Sequence, residues 1–149
     1  MRAGVRLGID VGSVRIGVAR SDATGVLAVP LDAVPAGVDS WGVVSALARE
    51  WKAVEIIVGL PLSMDGSEGR AAVLVREWVE QLSERTDVPV RLVDERLSTV
   101  QAQRALHAGG RSTRQSRSLI DSASAVMVLQ SVLDADGSSE FSGGGGAAP

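Results

Sequence analysis

Residues 5–20 read VRLGIDVGSVRIGVAR, two short apolar strands separated by Gly12-Ser13. A two-residue connection joins only antiparallel neighbours, so the chain must open as a β-hairpin. Gly25 to Val34 has the composition of a third strand, and Pro30, which lacks a ladder N–H, ends it or pushes it to an edge. The pattern then changes. Val43, Val44, Leu47 and Trp51 recur at helical spacing behind Asp39-Ser40, a capping pair, which predicts a helix over Trp41 to Trp51. VEIIVGL, 54–60, is a short buried strand halted by Pro61. Ser67 to Ser83 forms a second helix with Ala71, Val75, Trp78, Val79 and Leu82 on one face, and Val88 to Val93 is another apolar strand. Ser98 to Ala108 and Ser116 to Leu133 are two more helices. The strand–helix–strand unit at 54–93 needs a parallel, right-handed crossover. The expected architecture is therefore α/β: a mixed five-stranded sheet, three antiparallel strands plus two parallel, with helices on both faces. Residues 1–133 suffice for one domain, whereas 134–149 are Gly, Ser, Ala and acid and are expected to form a disordered tail.

Asp10 is the anomaly in this pattern, because a carboxylate in a buried strand is costly unless something compensates it. Three further acids stand at telling places: Asp94 and Glu95 where the strand VRLVDE ends, and Asp121 in the first turn or so of the last helix. Ligands of α/β sheets gather beyond the carboxyl ends of the strands, which favours Asp94-Glu95 as a site. Converging carboxylates ionise together only around cations, and oxygen-only ligands suit Mg²⁺ or Mn²⁺. Two such ions about 3.5–4 Å apart clamp the attacking and leaving oxygens of a phosphoryl displacement. Read singly, each acid also has a plain role: Asp10 as a hydrogen-bonded acid beside the Gly12-Ser13 turn, Asp121 as a first-turn acid on a helix dipole. For Asp10 the two readings stand level.

Composition narrows the chemistry. With no cysteine and a single histidine, His107, thiolate and zinc sites are excluded. A net charge of −3 excludes a chain-wide basic footprint, yet residues 91–117 hold six arginines against two acids, a local +4. Gly109 to Arg117, GGRSTRQSR, is a polar interruption with Arg111, Arg114 and Arg117 suited to a phosphate backbone. Arg96, Ser98 and Thr99, beside the acid pair, and Arg15, in the second strand, are further candidate nucleic-acid contacts; Ser98-Thr99 equally cap a helix. Residues 58–69, VGLPLSMDGSEG, break a strand and open a helix without matching a P-loop. Only Phe141 and three tryptophans supply aromatic rings, too few for base-stacking recognition. Neither a transmembrane run nor a signal-peptide stretch is present, which implies a cytoplasmic protein without a membrane partner.

Four segments, GIDVGSVRIGVARSD, VGLPLSMDGSEG, RLVDERLSTVQA and IDSASAVMVLQ, resemble in order and spacing the four signature blocks of the bacterial YqgF or RuvX family, across residues 5–133. The resemblance implies a ribonuclease H-like fold akin to RuvC resolvases. It also implies an acidic catalytic and metal-binding set of Asp10, Glu95 and Asp121, with Asp94 the alternative to Glu95. The implied activity is that of a nuclease, one that matures the 5′ end of pre-16S rRNA in ribosome biogenesis or cuts branched DNA of the Holliday-junction type. Ser63 stands where the family often has asparagine, and Ser124-Ala125 where it commonly has two alanines. The implied partners are nucleic acid and the ribosome-assembly machinery, for a monomer or a homodimer. Two other functions share this sequence pattern. GIDVGSVRIGVARSD also resembles the phosphate block of the actin, hexokinase and Hsp70 group, but those proteins need a second such domain. A non-catalytic binding module would not need its acids.

Overall fold

A computed structural model describes residues 4–37, 39–98 and 121–137. Its elements are β1 (Arg6–Val11), β2 (Arg15–Ser21), β3 (Ala28–Pro35), α1 (Ser40–Glu50), β4 (Glu55–Leu60), α2 (Arg70–Ser83) and β5 (Val90–Asp94). A 3-10 turn, Glu95–Ser98, follows β5, and residues 121–137 form a last helix, α3. The strands make one sheet in the order β3-β2-β1-β4-β5. β1 is antiparallel to β2 and β2 to β3, while β4 runs parallel to both β1 and β5. Pro30 lies in β3, the edge strand, opposite Ala19, so its missing N–H costs no ladder bond on the open side.

Alternation along the strands sorts the side chains onto two faces. Leu7, Ile9, Ile16, Val18, Ile56, Val58 and Leu60 face α1 and α2 and pack with Val44, Ala48, Ala72, Val75, Trp78 and Leu82. Ala19 and Ile57 face the other way, onto Ala125, Val128, Leu129, Val132 and Leu133 of α3. Gly8 lies on that second face, where a Cβ would stand 2.7 Å from Leu129 Cβ and 2.8 Å from the Ala125 carbonyl oxygen. Having no side chain there lets α3 approach the sheet closely at β1.

Several element boundaries depart from the sequence expectation. Asp39 is the N-cap of α1 but makes no side-chain cap bond. Ser40 holds this corner instead, donating to the Gly37 carbonyl at 2.8 Å and accepting from Trp78 Nε1 at 3.0 Å. α2 starts at Arg70 rather than Ser67, because Asp65 accepts from both the N–H and the hydroxyl of Ser67 and fixes a turn there. Ala72, not Ala71, then enters the core. α3 continues past Leu133 to 137. Asp136 near its end pairs with buried Arg6 at 2.9 Å and with Arg91 at 3.5 Å, and both arginines share Glu55. This ion network ties the helix end to the amino-terminal ends of β1, β4 and β5. The expected helix at 98–108, apart from the turn that precedes it, the start of the last helix at 116–120, and residues 138–149 lie outside the described residues.

Candidate active site

Asp10 is the fifth residue of β1 and pairs across the ladder with Gly17. Alternation gives it the same face as Gly8, toward α3. Glu95 comes from β5, which does not touch β1: β4 lies between them. Two strand spacings are roughly 10 Å, so Glu95 must reach over β4 to meet Asp10. Two features allow it. The 3-10 turn that begins at Glu95 breaks the strand, and the residue it must cross is Gly59, where a Cβ would stand 3.4 Å from Glu95 Cδ. The Glu95 carboxyl thus hydrogen-bonds to Asp10. That bond, then burial, then the negative charge of Asp10 push Glu95 up from the ordinary carboxylate range to about 8. The direction of that shift favours a proton on the Glu95 carboxyl at neutral pH.

Asp121 is brought to the same corner by a different device. β2 and β3 slip register between Ile16 and Val18, leaving Gly17 unpaired on that side. The Asp121 carbonyl and Ser122 Cα fit against the space a Gly17 side chain would take. Ser122, fully buried, accepts from the Val18 N–H at 3.3 Å and donates to the Leu31 carbonyl at 2.8 Å. One hydroxyl therefore bridges β2 and β3 just beyond the bulge and ties Ser122 of α3 to both strands. The Asp121 carboxylate accepts from Arg15 Nη1 at 3.2 Å. Among the described residues no three acids are gathered tightly enough to hold one metal ion. Asp10 and Glu95 meet, and Asp121 stands over the neighbouring strand, engaged by Arg15.

Asp94 points the other way. It pairs with Leu60 and shares the α1/α2 face. Its carboxylate takes the Arg96 N–H at 2.9 Å and Arg96 Nη2 at 2.7 Å, and these bonds hold it below the usual carboxylate range. Arg96 Nη1 in turn donates to the carbonyls of Ser63 and Met64, both at 3.2 Å. Asp94 and Arg96 brace the 61–69 loop. The helix start expected at Ser67-Glu68 is instead part of that loop, with Glu68 on Arg76 at 2.6 Å. Ser98 closes the 3-10 turn; Thr99, Arg111, Arg114 and Arg117 lie outside the described residues. Sequence reasoning overlooked Gly17, Gly59 and Ser122. The glycines were legible as gaps in otherwise apolar strands, whereas nothing local marks Ser122.

A mixed sheet in the order 3-2-1-4-5, with acids meeting at the carboxyl ends of β1 and β5 on the face that α3 covers, is the ribonuclease H-like class of fold. Two solved RuvC structures from Thermus thermophilus share it, at TM-scores of 0.54 and 0.53 and 15% and 16% identity, each match covering 89% of this chain and 95% of the other. The first of these is a complex with a Holliday junction substrate. Residues 4–135 match the model of the RuvX family, described as Holliday junction resolvase, and the chain belongs to that family. A Kineococcus radiotolerans protein is 50% identical over 140 residues, covering 91% of this chain and 74% of its own length. One from Thermobifida fusca is 46% identical over 144 residues, covering 91% of each. Both are provisionally named pre-16S rRNA nuclease. Among the described residues no helix is long and apolar enough to cross a membrane.

Proposed function

We propose that this chain is a cytoplasmic, metal-dependent phosphodiester hydrolase that acts on structured nucleic acid and matures the 5′ end of pre-16S rRNA. The observation that carries the reading is the Asp10–Glu95 pair. Two carboxyls are pressed together in a half-buried corner, with the strand between them cleared by Gly59, and their proximity raises the pKa of Glu95. An arrangement that retains a proton at neutral pH to stay together is suited to exchange it for a cation. The donors are all oxygen, which fits Mg²⁺ or Mn²⁺. Asp10 and Glu95 would hold the ion, with Asp121 the third ligand once its side chain leaves Arg15. Bound there, a divalent ion supplies Lewis acidity toward a phosphate oxygen and lowers the pKa of a coordinated water.

The chain's own groups set where that chemistry happens. Gly59 and Gly17 keep the corner open on the sheet surface, while Asp94 and Arg96 hold the 61–69 loop at the rim. Glu95 would give up its proton to hold a divalent ion and would add a negative charge to the ligand set. The names carried by the relatives support an RNA substrate; the family description and the RuvC fold support a second reading, cleavage of branched DNA. Offering the purified protein a 16S precursor fragment and a synthetic four-way junction side by side, in Mn²⁺ and in EDTA, separates them. The reading predicts Mn²⁺-dependent cutting of the precursor at its 5′ side. Selective, symmetric cutting of the junction would transfer the assignment to branched DNA and to a homodimer; no cutting of either would remove the enzyme.

A further inference from the structure

Arg15 donates to Asp121 at this corner, and its circumstances are unlike those of a structural arginine. Its backbone is fixed: its carbonyl accepts the Gly12 N–H at 3.0 Å in the hairpin turn, and it pairs with Pro35 in the ladder. Its side chain is open to solvent, 58% exposed, against 30% for the Asp121 side chain it meets at 3.2 Å. The buried Arg6 at the far end of the sheet, with two acidic partners, shows what a structural arginine looks like in this protein. An ion pair as open as Arg15–Asp121 biases an equilibrium by no more than about fivefold, so it breaks readily.

We propose that Arg15 is a resident counter-cation for Asp121 that exchanges partners during loading. Without a divalent ion it neutralises Asp121 and keeps that carboxylate turned from Asp10 and Glu95. When Asp121 turns to a bound ion, the guanidinium is released at the edge of the same corner and donates to a backbone phosphate of the nucleic acid. Arginine suits both partners, since its fork of N–H donors matches carboxylate and phosphate alike. The inference deepens the nuclease reading and rests on it.

Exchange has a thermodynamic signature that a static phosphate contact lacks. Losing Arg15 should strengthen metal binding, because a competitor is gone, and weaken nucleic-acid binding more when the metal is present than when it is absent. The test uses the full-length protein and Arg15→Gln, with Arg15→Lys as a second variant. Calorimetry gives the Mg²⁺ affinity, and anisotropy of a fluorescent RNA hairpin at 4 °C gives its affinity in Mg²⁺ and in EDTA. Arg15→Gln should bind Mg²⁺ about threefold more tightly, bind the hairpin no more than about threefold more weakly than wild type in EDTA, and bind it about tenfold more weakly in Mg²⁺. Arg15→Lys should fall between. An unchanged or weaker Mg²⁺ affinity, an equal loss of hairpin binding in EDTA and Mg²⁺, or a wild-type protein that binds no Mg²⁺ overturns the exchange. A wild-type protein that binds Mg²⁺ and hairpin with this pattern but cuts nothing would uphold the exchange and refute the nuclease reading.

Discussion

Gly59 lies directly under the carboxyl of Glu95: a Cβ on the glycine would stand 3.4 Å from Glu95 Cδ and 3.1 Å from Val128 Cγ2. Glu95 meets Asp10 only by crossing β4 there. A branched side chain at this position must push aside either the acid or α3. Gly59→Val should destabilise the fold by about 2 kcal/mol, as overpacking of close-packed sites does, and should weaken Mn²⁺ binding. Urea denaturation and a Mn²⁺ titration check the two effects.

The raised pKa of Glu95 beside Asp10 makes stability and metal binding depend on pH in a stated direction. Glu95 titrates near 8 when folded and near 4.5 when unfolded. Between those values the folded state holds more protons than the unfolded one, so the contribution of this pair to stability is greatest at or below about pH 4.5 and declines as pH rises through 8. In EDTA, the melting temperature of wild type should fall from pH 5 to pH 8 more steeply than that of Glu95→Gln. Mn²⁺ affinity should rise over the same range, because binding displaces the proton. A wild-type profile parallel to that of Glu95→Gln would contradict the raised pKa of Glu95.

Asp94 and Glu95 are adjacent in sequence and face opposite sides of the sheet, which gives them separable roles. Asp94→Asn should keep the wild-type Mn²⁺ affinity, because its carboxylate serves Arg96 and the 61–69 loop. Glu95→Gln should lower that affinity at least tenfold, the scale of a lost ligand or its close support. Calorimetric titration of the two variants distinguishes them.

Ser122→Ala tests the bulge. The hydroxyl accepts from the Val18 N–H and donates to the Leu31 carbonyl, bridging the β2–β3 pair that follows the register slip. Its removal takes a hydrogen-bond partner from each and should cost about 1–3 kcal/mol in urea denaturation. Restoring a hydroxyl with threonine should recover part of that loss.

Much of this architecture was legible where the constraint is local. Gly12-Ser13 dictated the hairpin, and the strand–helix–strand run at 54–93 dictated the parallel pair. The placement of β4 between β1 and β5 is a long-range outcome that no single segment encodes, so the route by which Glu95 reaches Asp10 could not be read. Element ends failed where side chains capture the backbone, as Asp65 does at Ser67, or where a distant charge extends a helix, as Arg6 does for Asp136. Asp10 was visible because a carboxylate in an apolar strand is too costly to stand there without a compensating group. That Asp121 is engaged by Arg15, rather than gathered with the other two, is a question of side-chain charge balance that spacing cannot resolve.

The most direct measurement is cleavage of an end-labelled 16S precursor fragment in Mn²⁺ by wild type and by Asp10→Asn, each purified free of host nucleases. Asparagine keeps the shape of the side chain and removes the charge that both the raised pKa of Glu95 and a cation require. The account predicts cutting by wild type and only background for Asp10→Asn, with the variant still folded. Undiminished cutting by Asp10→Asn would show that the Asp10–Glu95 corner is not where the phosphodiester is broken.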